Sequence, residues 1–256
     1  MLKTKKEDNM RDIIVQVFIA LIATAVTGVV TYVITLIVSS QVILITVISV
    51  LIGIGGFVIW HYHRRRKQER EERATLGIED IYPFFSEAPS PDKILNSATS
   101  HFEFLGTSGR SFFVIQSDLY KLLEQKLREG IVMRFLLLDP LSPNLQRRAE
   151  SENYSPEAMK RDINNSIERI EQLKAQYPGK IDYATYTSYP IWRCIFIDDR
   201  EAYVSYYPPG SFGDKSPSMK LVAKPSTEGF YRAFRTYFEE KWRECQNQRQ
   251  KKKKSR

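Results

Sequence analysis

Between Ile13 and His63 the chain has no lysine, arginine, aspartate or glutamate. Soluble helices seldom run so far without charge, so a buried core hairpin of a soluble protein is a poor reading of this stretch. An ion pathway needs ionisable side chains of its own, and the stretch has none. Cysteine is scarce as well. Cys194 and Cys245 are too few for a disulfide framework and lack metal-ligand spacing. No metal or other cofactor is therefore expected. Cys194 falls in an apolar, strand-like run and reads as core, and reduced thiols fit a cytosolic domain. There is no internal repeat.

What fills the uncharged stretch is apolar. A bilayer core takes about 20 apolar residues per helical crossing, which predicts two spans, over 13–38 and 42–60. They are separated only by Ser39-Ser40-Gln41, enough for a tight reversal. Lys3, Lys5, Lys6 and Arg11 precede the first span, and RRRKQEREER, starting at Arg64, follows the second. Positive charge resists translocation, so both termini are expected in the cytoplasm, with the chain multi-pass in the inner membrane. Trp60, His61 and Tyr62 sit where an aromatic belt would lie. Ala23-Thr24-Ala25 imitates a signal-peptide cleavage site, but the apolar run continues past it, so an uncleaved anchor fits better. Ala20, Thr24 and Gly28 recur at four-residue spacing, as do Ser49 and Gly53, a pattern that lets membrane helices approach closely. Packing of the two spans on each other and contacts between copies both remain open.

The formal charge of +8 invites a nucleic-acid reading, but its distribution argues against one. The N-terminal flank carries +1, residues 64–73 carry +3 and residues 249–256 carry +6, which leaves about −2 for the rest. Basicity is gathered beside the membrane and in the tail, where anionic headgroups are a natural partner; a solvated tail explains KKKKSR equally well.

The expected organisation is a basic flank over 1–12, the two spans, and a charged stalk with a proline-containing linker over 61–90. An α/β domain over 91–245 and a basic tail over 246–256 follow. Within the domain, HFEFLGTSG reads as a strand entering a Gly/Ser turn, and Leu119, Leu122, Leu123 and Leu127 mark one helix face. IVMRFLLLDP reads as a strand buried on both faces. After a polar stretch over 142–155, Ile163, Ile167, Ile170 and Leu173 mark a second helix. IDYATYT, WRCIFID and EAYVSYY are strands, the last two joined near Asp199-Arg200. Residues 220–223 suggest one more, and Phe230, Phe234, Phe238 and Trp242 stripe a terminal helix. The order predicts α/β with a mixed sheet.

The run YPIWRCIFIDDREAYVSYY resembles the signature region of the phospholipase D-like superfamily, whose motif is His-x-Lys, four residues, Asp, six residues, then Gly-Ser-x-Asn. Laying the Asp on Asp198 puts Arg193 at the Lys position and Ile191 at the His position. Ser205-Tyr206 then takes the Gly-Ser and Pro208 the Asn. The earlier strand into LGTSGRS, helix and FLLLDP are similar to the first half of that fold. The resemblance implies a phospholipase D-like fold in which the family's nucleophilic histidine is lost. Isoleucine has no lone pair to offer, and His101 lies far from any such motif, so no catalytic residue is expected. It further implies a degenerate domain like those of bacterial regulatory or defence proteins.

Arg193 keeps a permanent charge able to hold a phosphate bidentately. With Ser108, Gly109 and Ser111 of the Gly/Ser turn, Lys220 and Tyr207, it forms the expected ligand-binding set. Each has a plainer reading as an ion pair, turn or sheet packing. The functional expectation is a membrane-anchored sensor–effector that binds a phosphorylated small molecule or a protein partner, with a role in antiviral defence by membrane disruption. A membrane-bound phosphodiesterase and a tethering interaction module are the alternatives.

Overall fold

The computed structural model describes residues 2–36, 41–208, 210, 213–224 and 229–254. The side chains of 2–14, 34–36, 41–46, 48, 69, 70, 214 and 250–254 lie outside that description. The chain divides into two units, 1–69 and 70–256.

The first unit holds α1 (Leu2–Leu36) and most of α2 (Gln41–Leu76). Over Val15–Val33, α1 is long and apolar enough to cross a bilayer, and most of it is exposed, Val33 alone of these residues being buried. Thr24, Thr27 and Thr31 return their hydroxyls to the carbonyls four residues earlier, which removes the cost of carrying polar groups on an apolar helix. Val26 and Val30 of α1 and Val47 and Leu51 of α2 line one apolar cleft. Gly28 and Gly53 face open space where a Cβ would stand. Mostly valines, with Leu51 and Ile54, line this cleft, and Gly28 and Gly53 are not close-packed. Of the expected reversal, Ser39 and Ser40 lie outside the described residues and Gln41 opens α2.

The second unit is built on a seven-stranded mixed sheet in the order β1-β7-β6-β5-β2-β3-β4. The strands are β1 (Ile78–Tyr82), β2 (His101–Gly106), β3 (Val132–Leu138), β4 (Ile181–Tyr186), β5 (Trp192–Ile197), β6 (Glu201–Tyr206) and β7 (Ser218–Val222). β2, β3 and β4 run parallel, and every other pairing is antiparallel. The helices are α3 (Pro91–Asn96), α4 (Asp118–Arg128), α5 (Pro143–Ser151), α6 (Pro156–Gln176) and α7 (Phe230–Lys254). Alternation along the strands sends Phe102, Phe104, Phe135, Ile195 and Ile197 to one core, shared with Ile94 and Leu95 of α3 and Leu123 and Leu127 of α4. Leu105, Leu136, Cys194, Phe196 and Val204 go to the other, under Leu145 of α5 and Phe238 of α7. α6 contributes Ile163 to the second core and Ile170 to the first, so it wraps the sheet edge beside β4.

Residues 78–90, read from the sequence as linker, contain the edge strand β1 and a 3-10 turn over Phe85–Glu87. The polar stretch over 142–155 contains α5. Ser142 caps it by accepting from the Asn144 N–H, with proline in the first turn. The β5–β6 turn is centred on Asp198 and Asp199, with φ of 51° and 54°, and closes with Arg200 N–H donating to the Ile197 carbonyl at 2.9 Å. Two successive positive φ values match the twist of a two-residue hairpin loop, and aspartate tolerates them better than most residues.

Candidate functional site

Arg193 leaves β5 on the face it shares with Ile195, beyond the edge of that apolar core. Its guanidinium carbon lies 3.5 Å from the centre of the Phe85 ring. Nη2 donates to the Gly213 carbonyl at 2.6 Å and to Ser205 Oγ at 3.4 Å. Ser205 stands directly across from Arg193 on β6, and its hydroxyl is 2.6 Å from that of Ser218 on β7. A row of polar side chains thus crosses three strands, with the guanidinium at its open end. Neither Asp198 nor Asp182 answers Arg193. Asp198 caps the start of β2, and Asp182 accepts from Lys174 at 2.6 Å.

Beside Arg193 opens a cavity of about 250 Å³. Ser108, Gly109, Ser111 and Tyr207 line it together with Arg193, so five of the six expected residues meet around one space. The turn after β2 explains how. At Gly106 a Cβ would collide with the Phe104 ring and come within 3.0 Å of the Tyr207 hydroxyl, and Gly109 adopts φ 62°. Glycine is the residue that meets both demands at low cost. The chain then turns tightly through a 3-10 segment over Arg110–Phe112. Lys220 stands elsewhere, on β7, paired with Glu79 at 2.7 Å and Glu201 at 3.3 Å. Burial would lower its pKa, but the Glu79 hydrogen bond and surrounding negative charge hold it above the usual lysine value. Its position is that of a sheet ion pair, and it does not join the cavity.

Other wall residues were not singled out from the sequence. Arg110 Nη1 reaches Asp162 at 3.4 Å and the Tyr154 hydroxyl at 3.2 Å, and Tyr154 donates to Asp162 at 2.8 Å. That hydrogen bond to a carboxylate is the main reason the Tyr154 pKa is raised. Thr107, 8 % exposed, also lines the cavity, and its buried hydroxyl has no hydrogen-bond partner among the described residues. Behind Tyr207 lies Arg148, fully buried, with its guanidinium 4.3 Å from the ring centre and ion-paired to Glu152. The cavity thus combines two guanidinium groups, the carboxylates of Asp162 and Glu152, a set of hydroxyls and an aromatic wall of Phe85, Phe104, Phe112 and Tyr207, with Arg110 already paired to Asp162. That mixture suits a small ligand with an anionic group and an apolar or planar body.

Among the described lining residues there is no histidine or cysteine. Ile191, which the sequence resemblance set against a histidine, is 45 % exposed, and its backbone carbonyl accepts from the Tyr207 N–H. His101 sits at the start of β2, whereas the cavity lies at and beyond its end. Cys194 is fully buried on the opposite face of the sheet, and burial raises its thiol pKa far above the usual range. No cluster of metal-ligating side chains occurs among the described residues.

No protein-family model and no curated protein matches the chain. Solved structures similar to parts of it include TrmBL2, an archaeal chromatin protein with a novel mode of DNA binding. It is 12 % identical over 79 % of this chain and 69 % of that one, with a TM-score of 0.40. Nuc of Salmonella typhimurium, a phospholipase D family member, is 13 % identical over 60 % of this chain and 84 % of its own, with a TM-score of 0.34. NucT of Helicobacter pylori is 14 % identical over 65 % and 96 %, with a TM-score of 0.39.

Proposed function

We propose that this chain is a membrane-anchored binding protein. Its α/β domain, phospholipase D-like in architecture but without that family's catalysis, holds a phosphorylated small molecule in the Arg193 cavity. The observation that carries this reading is the convergence of Arg193, Ser108, Gly109, Ser111 and Tyr207 on one cavity whose described walls offer no nucleophilic histidine or cysteine. Arg193 and Arg110 supply charge-assisted donors for the anion. The aromatic side chains receive the rest of the molecule.

The second half of the proposal is the anchor. Two spans over 13–38 and 42–60, with basic flanks on the cytoplasmic side, fix the domain to the inner membrane. Occupancy of the cavity acts on the membrane by favouring one arrangement of the spans over another, which requires that the ligand bind that arrangement better. Membrane disruption as an antiviral response is the physiological outcome this architecture suits.

The test is equilibrium binding of phosphate monoesters and mononucleotides to the full-length protein in nanodiscs, with turnover of a generic phosphodiester measured in parallel. Expected are saturable binding of at least one ligand, weakened tenfold or more in Arg193→Ala, and no turnover. Turnover by the wild type that disappears in Arg193→Ala would instead establish a membrane-bound phosphodiesterase.

A further inference from the structure

Arg193 meets the anion of a ligand and the aromatic wall its planar part, but neither accounts for the carboxylates that line the same space. Glu152 is ion-paired with Arg148. Asp162, near the start of α6, lines the cavity with its side chain 13 % exposed, and it is held by one oxygen only. Oδ2 accepts from Arg110 Nη1 at 3.4 Å and from the Tyr154 hydroxyl at 2.8 Å. Oδ1 accepts from no described residue, and unlike the Thr107 hydroxyl it is solvent-accessible.

A carboxylate has about four acceptor sites. The bonds to Oδ2 hold the group in place and leave the sites of Oδ1 for a donor that enters the cavity. Arg110 already balances the charge of Asp162, so what Oδ1 lacks is a hydrogen-bond donor and not a second cation. Distance decides which donor. Arg110 is also one of the two guanidinium groups that meet the anion, so a donor for Oδ1 must lie within a few bonds of the phosphate. A sugar hydroxyl does; the N–H groups of a base, on the far side of the sugar, do not. Acidic side chains take ribose hydroxyls in this way in dinucleotide-binding folds. Ser108 and Ser111, whose hydroxyls both donate and accept, suit the other oxygens of such a ring.

Granted the Arg193 cavity as a phosphate site, on which this inference rests, we propose that its ligand is a ribose phosphate and that Asp162 Oδ1 accepts one of the ribose hydroxyls. A nucleotide and a free sugar phosphate offer the same hydroxyls, and the experiment separates them.

Equilibrium binding to the full-length protein in phosphatidylcholine nanodiscs is measured for adenosine and guanosine 5′-monophosphates, their 2′-deoxy and 3′-deoxy forms, and ribose 5-phosphate. Removal of one of the two hydroxyls should weaken binding about tenfold or more, because a site built to receive a hydroxyl discriminates against the analogue that lacks it. Asp162→Asn should bring the affinities of the ribose and deoxyribose forms together, with the deoxy form still bound. In Tyr154→Phe, which keeps the carboxylate, the preference should persist. Ribose 5-phosphate binding as well as the nucleotides assigns a free sugar phosphate; clearly weaker binding assigns a nucleotide.

Equal binding of ribose and deoxyribose forms by the wild type overturns the assignment, and if Arg193→Ala still weakens both forms the Arg193 cavity stands. A preference retained in Asp162→Asn overturns it as well. So does loss of both forms in that variant, which would make Asp162 structural, and so does loss of the preference in Tyr154→Phe, which would move the contact to the Tyr154 hydroxyl. Binding of none of the probes defeats it together with the Arg193 reading.

Discussion

Asp198 shows how much one carboxylate can organise. Its side chain, 4 % exposed, accepts from the backbone N–H groups of Thr99, Ser100 and His101, from two hydroxyls and from Arg200. Burial alone would raise its pKa, but the His101 amide and its neighbours more than offset that and hold it well below the ordinary aspartate value. With the folded pKa below an unfolded value of about 3.9, its stabilisation is complete above that value and is lost as pH falls toward the folded one. Urea titrations at pH 7 and pH 3 should therefore show the wild type losing more stability than Asp198→Asn. At pH 7, Asp198→Ala should cost about 2–4 kcal/mol, because three amides lose their acceptor. Equal acid sensitivity of wild type and Asp198→Asn would remove Asp198 from the account.

Arg193 has structural contacts as well as a place in the cavity. Losing its stacking on Phe85 and its bond to the Gly213 carbonyl should cost Arg193→Ala about 1–2 kcal/mol, read as a lower unfolding midpoint. Arg193→Lys keeps the charge without the planar stacking, so it should recover part of any ligand affinity and little of the stability. A midpoint unchanged in both variants would mean the Phe85 stack contributes nothing.

Among the elements, α7 is fastened to the sheet by charge as well as by aromatic packing. Glu103 on β2 lies beside Arg134 on β3, and Arg134 Nε donates to it at 2.6 Å. Arg235 and Glu239 of α7 complete the group, with the Arg134 guanidinium 5.3 Å from the Phe238 ring centre. Glu103 is 4 % exposed in this network. Glu103→Gln removes the more buried of the two carboxylates that Arg134 and Arg235 share, leaving Glu239, and it should cost about 1.5–3 kcal/mol in chemical denaturation. Glu239→Gln, at a more exposed member, should cost clearly less.

The elements also show what the sequence made legible. Strands with apolar alternation or continuous burial, and helices with apolar stripes, were readable because packing imposes those periods. β1, with the sequence IEDIY, was not, since an edge strand needs no apolar face and its acidic pair masks the alternation. α5 is short and polar, and only Ser142 followed by Pro143 announces it. The missed β1 had a further effect: Glu79, the partner of Lys220, lay in a segment read as linker, so Lys220 seemed available for a ligand. Arg193 could be reached from motif spacing and strand alternation. Arg110, Tyr154 and Asp162 could not, because their meeting depends on the fold bringing distant segments together.

At the scale of the whole molecule, the charge pattern makes a topological prediction that does not depend on the cavity. Single cysteines placed at Ser40 and at Ser255 should respond differently to a membrane-impermeant reagent applied outside the cell. Ser40→Cys is expected to label and Ser255→Cys only after lysis. The reverse result would put the α/β domain on the other side of the membrane and defeat the anchored-binding proposal.

β1 has a mechanical consequence. It follows α2 after Gly77 alone, its one strand neighbour among the described residues is β7, and its register slips between Ile78 and Asp80. Held on one side and with an irregular ladder, the strand can part from β7 without disturbing the rest of the sheet. β6, gripped on both sides, would stay in place. β1 is thus a tear-off strip between helix and sheet, and its amides should exchange with deuterium well before those of β6.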